Sequence, residues 1–221
     1  MKILGCVQPT YIPWYWFFYR IKISDVFILL DDVEYSKNNS FNRNKIINNN
    51  NETMLTVPIN YKNNSKTKLK DITINYDRDW RKKHINTIIQ SYSKFSLFKN
   101  FEKDLKIIYE KKFDKLIDLN FEIIEFFLNY FEISTSIYRS SDIGIKGNSN
   151  EKLIGLCKYF NADYFIVKPN TENYHPEKIF NQNKIKFKYL DYSKICEENI
   201  KKKLNPKLSI LDYATKFKVF N

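Results

Sequence analysis

Glycine is scarce, with four in 221 residues. Neither the GxGxxG turn of a dinucleotide site nor the GxxxxGK[ST] cradle of a P-loop occurs, which disfavours both classical nucleotide folds. Cysteine is as rare: Cys6, Cys157 and Cys196 are scattered and none belongs to a CxxC pair, so neither a disulfide framework nor a structural zinc site is expected. Two of the three lie in apolar runs, the usual setting of a buried, inert thiol. Histidine is limited to His84 and His175, with no HExxH, and no serine sits in a GxSxG elbow. No catalytic metal is therefore inferred, and no cofactor is called for. No stretch reaches the roughly 20 apolar residues of a membrane helix. No small-residue cleavage site follows an apolar region near Met1, so no signal peptide is read and a cytoplasmic location is expected.

The composition favours a packed core, because apolar residues make up 43% of the chain and aromatics 17%, enough to offset chain entropy. The expectation is a single α/β domain over residues 1–221. A net charge of +12 favours an anionic partner such as nucleic acid, a nucleotide-linked sugar or an acidic membrane surface. Lys, Asn and Ile are nevertheless enriched throughout, including the Asn48-Asn49-Asn50-Asn51 run. That pattern suits an AT-rich genome, so the charge lends little weight to any one partner.

Residues 3–7 form an apolar strand, Pro9 and Pro13 bracket a loop, 14–23 read as an aromatic helix and 26–30 as a buried parallel strand. This is a βαβ unit. Residues 54–59 and 71–75 read as further strands, in the middle of the sheet or at its edge. From about 79 to 131 the period becomes helical: Trp80, His84, Ile88 and Tyr92 recur every four residues, and two further helices follow. A second α/β stretch has strands at 136–138, 164–167 and 185–190, with helices at 149–160, 175–182 and 209–217. The fold class is α/β, an open and mainly parallel sheet with flanking helices and a helical insertion over about 79–131. In the order of its first unit it is loosely nucleotidyltransferase-like, although Pro13-Trp14-Tyr15-Trp16 holds no histidine where such domains carry one.

In open α/β sheets ligands sit beyond the carboxyl ends of the strands, which directs attention to the loop after the first strand. Gln8 supplies a donor and an acceptor there, and Tyr11 and Trp14 supply stacking surfaces, whereas Phe17, Phe18 and Trp16 read as core. Asp31 and Asp32 follow the second strand and reach the same mouth, suited to a sugar hydroxyl or an amine. Arg43, beside Asn42, suits a phosphate or carboxylate. His84, next to Lys83, is the first choice of base and Asp32 or Asp31 the orienting acid, with a packed structural histidine as the alternative. His175, after Tyr174, caps a short helix or faces solvent. Ser140 and Ser141 bind ligand oxygens or cap a turn.

Gln8-Pro9-x-Tyr11-x-Pro13-Trp14, Lys22-x-Ser24-Asp25-Val26-Phe27, Asp31-Asp32-Val33-Glu34-Tyr35-Ser36-Lys37, Phe41-Asn42-Arg43-Asn44 and Leu55-Thr56-Val57-Pro58 together resemble the WbqC-like family. The resemblance continues through Trp80-x-x-Lys83-His84, Ser140-Ser141, Lys152-Leu153-Ile154 and Leu208-Ser209-Ile210-Leu211-Asp212. Departures are Tyr15-Trp16 where the family has Gly-Tyr, and Val167-Lys168-Pro169 where it has a Ser-Gly turn. The resemblance implies a bacterial protein of surface polysaccharide (O-antigen, lipopolysaccharide or capsule) biosynthesis. The expected activity is that of a transferase on a nucleotide-linked sugar, with acyl or aminoacyl transfer to an amino sugar in view. His84 and Asp32 would act in catalysis. Gln8, Tyr11, Trp14, Asp31, Asn42, Arg43, Lys83, Ser140, Ser141 and Tyr174 would bind substrate. Two alternatives stay open: a non-catalytic sugar-nucleotide-binding or scaffold protein, and an aminoacyl-tRNA-dependent transferase, for which Lys201-Lys202-Lys203 would contact RNA.

Overall fold

Strands that are apolar on both faces must be covered on both faces, and three such segments, Ile3–Val7, Val26–Leu29 and Tyr164–Val167, form the centre of the main sheet. The structure is a computed structural model and describes residues 1–37, 39–62, 66–147, 149–169, 174–191, 205 and 207–220. Cys196 and Lys201-Lys202-Lys203 lie outside the described residues.

The chain opens with β1 (Ile3–Val7), α1 (Tyr15–Lys22) and β2 (Val26–Leu29). A long excursion follows, containing β3 (Arg43–Asn48), β4 (Asn51–Thr56), β5 (Ile59–Asn60), β6 (Thr73–Ile74) and three helices, α2 (Trp80–Tyr92), α3 (Glu102–Glu110) and α4 (Leu116–Tyr130). It returns through β7 (Ser136–Arg139), α5 (Ser140–Ile143), α6 (Ser149–Tyr159), β8 (Tyr164–Val167), α7 (Glu177–Gln182), β9 (Lys186–Tyr189) and α8 (Ile210–Ala214).

The main sheet has the order β7-β2-β1-β8-β9, and all four pairings are parallel. Successive sheet strands move outward from β1 to β7, then restart beside β1 and move the other way. The α/β expectation holds. The nucleotidyltransferase analogy gains nothing from this order, which hosts many unrelated activities.

Side chains alternate along each strand. Leu4, Cys6, Val26 and Ile28 pack with Leu153, Leu156 and Cys157 of α6 and Phe180 of α7. Phe27 and Leu29 face a larger core that holds Phe17, Phe18 and Ile21 of α1 and Ile123, Ile124 and Phe127 of α4. The aromatic run after Pro13 is thus spent mainly on packing: Phe17 meets Phe27, and Phe18 meets Phe127 edge-on. Among the described residues no helix is long and apolar enough to cross a membrane.

Residues 54–59 and 71–75 do not join the main sheet. Residues 51–56 form β4, which pairs antiparallel with β3, and β5 pairs with β6 in a second small ribbon. The turn between β3 and β4 consists of Asn49 and Asn50, both at positive φ (48° and 64°), the twist-matched geometry of a two-residue hairpin that asparagine tolerates. Local antiparallel closure needs only those two residues, whereas joining a parallel sheet needs a crossover of a dozen or more. Of the six residues of β4 only Leu55 is buried.

Gly5 lies in β1 opposite Phe27 of β2. A Cβ there would fall 2.5 Å from Ser24 Oγ and 2.8 Å from the Phe27 ring. Gly5→Ala is therefore expected to overpack the sheet and cost about 1–3 kcal/mol, read as a lowered urea midpoint with an unchanged m-value.

Candidate functional site

Where strand order reverses, the helices that follow the two central strands leave on opposite faces and a crevice opens between them. Here the reversal lies between β1 and β8, and a cleft of about 1020 Å³ occupies that place. Val7 and Gln8 reach it from the end of β1, Asp32 and Glu34 from beyond β2, Val167 and Lys168 from β8, and His175 from the approach to α7.

The cleft is basic. Among the described residues, Arg20, Lys68, Lys70, Lys146, Lys152 and Lys168 line it against two carboxylates, Asp32 and Glu34. One of those, Asp32, is paired with Lys152. Lys68 and Lys70 arrive because the backbone of 67–70 runs beside that of 31–35, with Leu69 N–H donating to the Val33 carbonyl and Lys70 N–H to the Asp31 carbonyl, both at 2.8 Å. Arg20 comes from α1, steadied by a 2.6 Å bond from its Nη2 to the Cys6 carbonyl. Partial burial and the Arg20 charge hold the Lys168 ammonium below the usual lysine value.

Gly144 and Gly147 line the cleft in the loop before α6, at φ of +72° and +130°. Both values lie in the region that favours glycine. At Gly147 space is also short, since a Cβ would lie 2.9 Å from the Cβ of Glu151. This turn aims the first residues of the 11-residue α6 at the cleft, where Ser149 and Lys152 line it. Free amides at a helix start suit an anion.

The wall beneath is held by two adjacent carboxylates. Asp31, 1% exposed, accepts from Ser141 N–H (2.9 Å), Ser141 Oγ (2.6 Å) and Ser140 Oγ (3.1 Å). Asp32 accepts from Ser140 Oγ and Lys152 Nζ. Burial alone would raise the Asp32 carboxyl, but the hydrogen bonds from Lys152 and Ser140 and the Lys152 charge outweigh it and hold it below the usual carboxylate value.

His175 is half-buried, with its Nδ1 donating to Asn150 Oδ1 at 2.8 Å and its ring edge-on to Phe165 and Phe180. That bond leaves Nε2 as the lone-pair nitrogen, and burial lowers the ring's affinity for a proton. Cys6 also borders the cleft, but burial pushes its thiol up to about 11 despite Arg20 and Lys152. It carries no thiolate near neutrality. Among the described residues no three His, Cys, Asp or Glu side chains converge as metal ligands.

The residues singled out from sequence divide into three groups. Gln8, Asp32 and Ser141 line the cleft, and Asp31 and Ser140 tie its wall together. Trp14 opens onto a side pocket that adjoins it. The remainder lie elsewhere. Asn42 is buried, accepting from Tyr35 OH (3.2 Å) and donating to the Val57 carbonyl (2.8 Å). Arg43, half-buried, begins β3, Lys83 is exposed on α2, and Tyr174 is exposed just before His175. His84 and Tyr11 belong to the large core: His84 Nδ1 accepts from Tyr11 OH at 2.8 Å, and that hydroxyl also bonds Tyr109 OH. His84 is 4% exposed and Tyr11 is fully buried.

Lys68, Lys70, Lys146, Gly144 and Gly147 belong to no motif that marks them in the sequence, and Lys152 falls only inside the family pattern. One signal was available for the glycine turn. Two of the four glycines stand three residues apart immediately before a helix start, Gly144-Ile145-Lys146-Gly147.

Burial and the Lys83 charge lower His84 to about 4, against a hydrogen bond to the Thr56 backbone that raises it. The unfolded chain, with a histidine near 6.5, therefore binds the proton first as pH falls. The stabilising contribution is complete above pH 6.5 and is lost as pH drops toward 4, amounting to about 3 kcal/mol. Urea unfolding at a series of pH values is expected to show this slope in the native protein and a shallower one in His84→Gln. An equal slope in both would remove His84 as its source.

The sequence model of the WbqC-like protein family matches residues 8–218. A curated relative from Mycobacterium tuberculosis (strain ATCC 25618 / H37Rv), uncharacterized protein Rv1507c, is 30% identical over 214 residues, covering 96% of this chain and 92% of its own length. No solved structure matches the chain.

Proposed function

The chain belongs to the WbqC-like protein family, and from that premise we propose that it works in bacterial surface-polysaccharide assembly by binding a nucleotide-linked sugar in the switch-point cleft. The observation that carries this reading is the six cationic side chains against two carboxylates at the reversal of a parallel sheet. A diphosphate is compact and doubly anionic, and it matches clustered ammonium groups and helix-start amides better than any neutral sugar does. The cleft volume of about 1020 Å³ is at the upper end of small-ligand sites, which run to roughly 1,000 Å³.

The reaction in this reading is acyl or aminoacyl transfer to the amine of the sugar. The amine nitrogen attacks the acyl carbonyl of a thioester or ester donor, the tetrahedral adduct collapses with cleavage of the carbonyl C–S or C–O bond, and His175 Nε2 takes the proton the nitrogen loses and hands it to the departing thiolate or alkoxide. His175 is preferred as base over His84 because it borders the cleft, whereas both nitrogens of a buried, bonded His84 are out of reach of substrate. Lys152 and Asp32, as a closed pair, orient rather than transfer protons. A non-catalytic carrier of the same ligand is favoured by one fact: burial moves the His175 pKa down and the Cys6 thiol up, both away from neutrality, and among the described groups of the cleft only the Lys168 ammonium shifts toward it.

Calorimetry with UDP- and dTDP-linked amino sugars tests the binding. The nucleotide-linked forms are expected to bind and the free sugars not. Lys70→Ala and Lys146→Ala should each weaken binding about 10-fold or more if their ammonium groups meet a phosphate. Failure of every nucleotide-linked sugar to bind would overturn the proposal.

His175→Gln separates the two readings. The transferase predicts retained binding with turnover lost, and a native acid limb that lies below the ordinary histidine value of about 6.5, because burial lowers the His175 pKa. Unchanged turnover in that variant would remove His175 from the chemistry.

A further inference from the structure

Behind the basic cleft lies a second, smaller cavity of about 220 Å³, lined by Val7, Trp14, Trp16, Phe17, Arg20 and Lys168. Three of these six, Val7, Arg20 and Lys168, also line the large cleft. The two spaces therefore meet at the end of β1, across a shared pair of cations. On one side of Arg20 and Lys168 the walls are lysines and a helix start, and on the other they are two indoles and a phenyl ring.

The chemistry of the annex differs from that of the cleft in kind. Among the described residues its remaining walls offer no acidic group and no lysine, and its volume falls below the roughly 300 Å³ at which sites for whole small ligands begin. It suits one flat ring system attached to something larger. Trp14 is well placed to present such a face, because it precedes α1 in extended geometry (φ −83°, ψ 169°) and its side chain is only half-buried. Trp16, by contrast, is held by Tyr15 and Tyr19 packed edge-on against its ring. One wall is firm and the other borders open space.

We propose that this annex is a base-stacking subsite, in which Trp14 and Trp16 hold the nucleobase of a nucleotide ligand while Arg20 and Lys168 receive the phosphate next to it. This rests on the reading of the large cleft as a nucleotide-sugar site and assigns which end of the ligand goes where. The base enters the aromatic annex, the phosphates cross the end of β1, and the linked sugar occupies the larger compartment toward Asp32, Ser141 and His175. Indole faces accept any base through stacking and so fix its plane more than its identity. Cations beside aromatic walls give the charged end of the ligand a direction to point.

The experiment compares three probes on the native full chain, Trp14→Ala and Trp14→Phe: inorganic pyrophosphate, a nucleoside diphosphate (UDP) and N-acetylglucosamine 1-phosphate. Binding is followed by calorimetry, and by tryptophan fluorescence in the native chain. The expected result is that UDP binds more tightly than pyrophosphate and quenches the fluorescence. Trp14→Ala should then weaken UDP by roughly 5- to 100-fold while leaving pyrophosphate unchanged, and Trp14→Phe should retain most of the UDP affinity. The unchanged pyrophosphate affinity also shows that each variant is folded. If pyrophosphate binds but Trp14→Ala weakens UDP no more than pyrophosphate, the subsite is overturned and the cleft reading stands. If Trp14→Ala selectively weakens the sugar phosphate instead, the annex holds the sugar and the assignment is likewise overturned. If none of the three binds, the cleft reading and the subsite fall together.

Discussion

Asp31 joins three parts of the chain that are far apart in sequence. It sits just beyond β2, its carboxylate receives the backbone N–H and hydroxyl of Ser141 at the start of α5, and its backbone carbonyl receives the Lys70 N–H. A buried carboxylate is costly unless its oxygens are filled, so the serine donors are held in place by the same requirement that holds Asp31. The consequence for the cleft is direct. The segment that carries Lys68 and Lys70 and the helix that follows β7 are both pinned to the end of β2, and the neighbouring Asp32 fastens α6 through Lys152.

The two histidines illustrate how environment decides what one residue type does. His84 lies among Tyr11, Tyr109 and Trp80, with its ring nitrogens engaged and its pKa driven down by burial. It is an uncharged packing element that links the first loop to α2. His175 is held through Nδ1 and by Phe165 and Phe180 against its ring, and it borders the cleft. Its shift has the same sign and the same main cause, burial, yet only this ring borders the large cleft. A pKa shift without a cavity next to it describes stability, and with one it begins to describe chemistry.

Much of the fold was legible because apolar period and breaker residues act locally. The strand at 3–7, the helix after Pro13, the strands at 164–167 and 186–189 and the helices α2, α4 and α6 follow from runs and spacings that any tertiary context would respect. The hairpin of β3 and β4 was less legible. Its first strand, Arg43-Asn44-Lys45-Ile46-Ile47-Asn48, alternates weakly and sits among asparagines, and whether 54–59 joins a parallel sheet or a local ribbon depends on the Asn49-Asn50 turn closing. The candidate site was legible only in part. Gln8, Asp32 and Ser141 follow from the rule that loops after parallel strands gather at one mouth, and all three line the cleft. Lys68, Lys70 and Lys146 carry no mark that separates them from the many other lysines of this chain.

What the sequence determined by itself is the kind of object this is: an α/β chain with a mouth after its first strand, no glycine-rich phosphate loop of either classical type, and aromatic residues enough to fill a large core. Those conclusions rest on composition and on short-range period, which are properties of neighbours along the chain. Tertiary structure alone decided which cations share a cleft, which histidine borders it, and that Trp14 faces a cavity while Tyr11, three residues earlier, is sealed in the core. Such facts depend on the order β7-β2-β1-β8-β9 and on the Asp31 knot. Both bring together residues more than a hundred positions apart, and local spacing holds no record of which distant partner a side chain will meet.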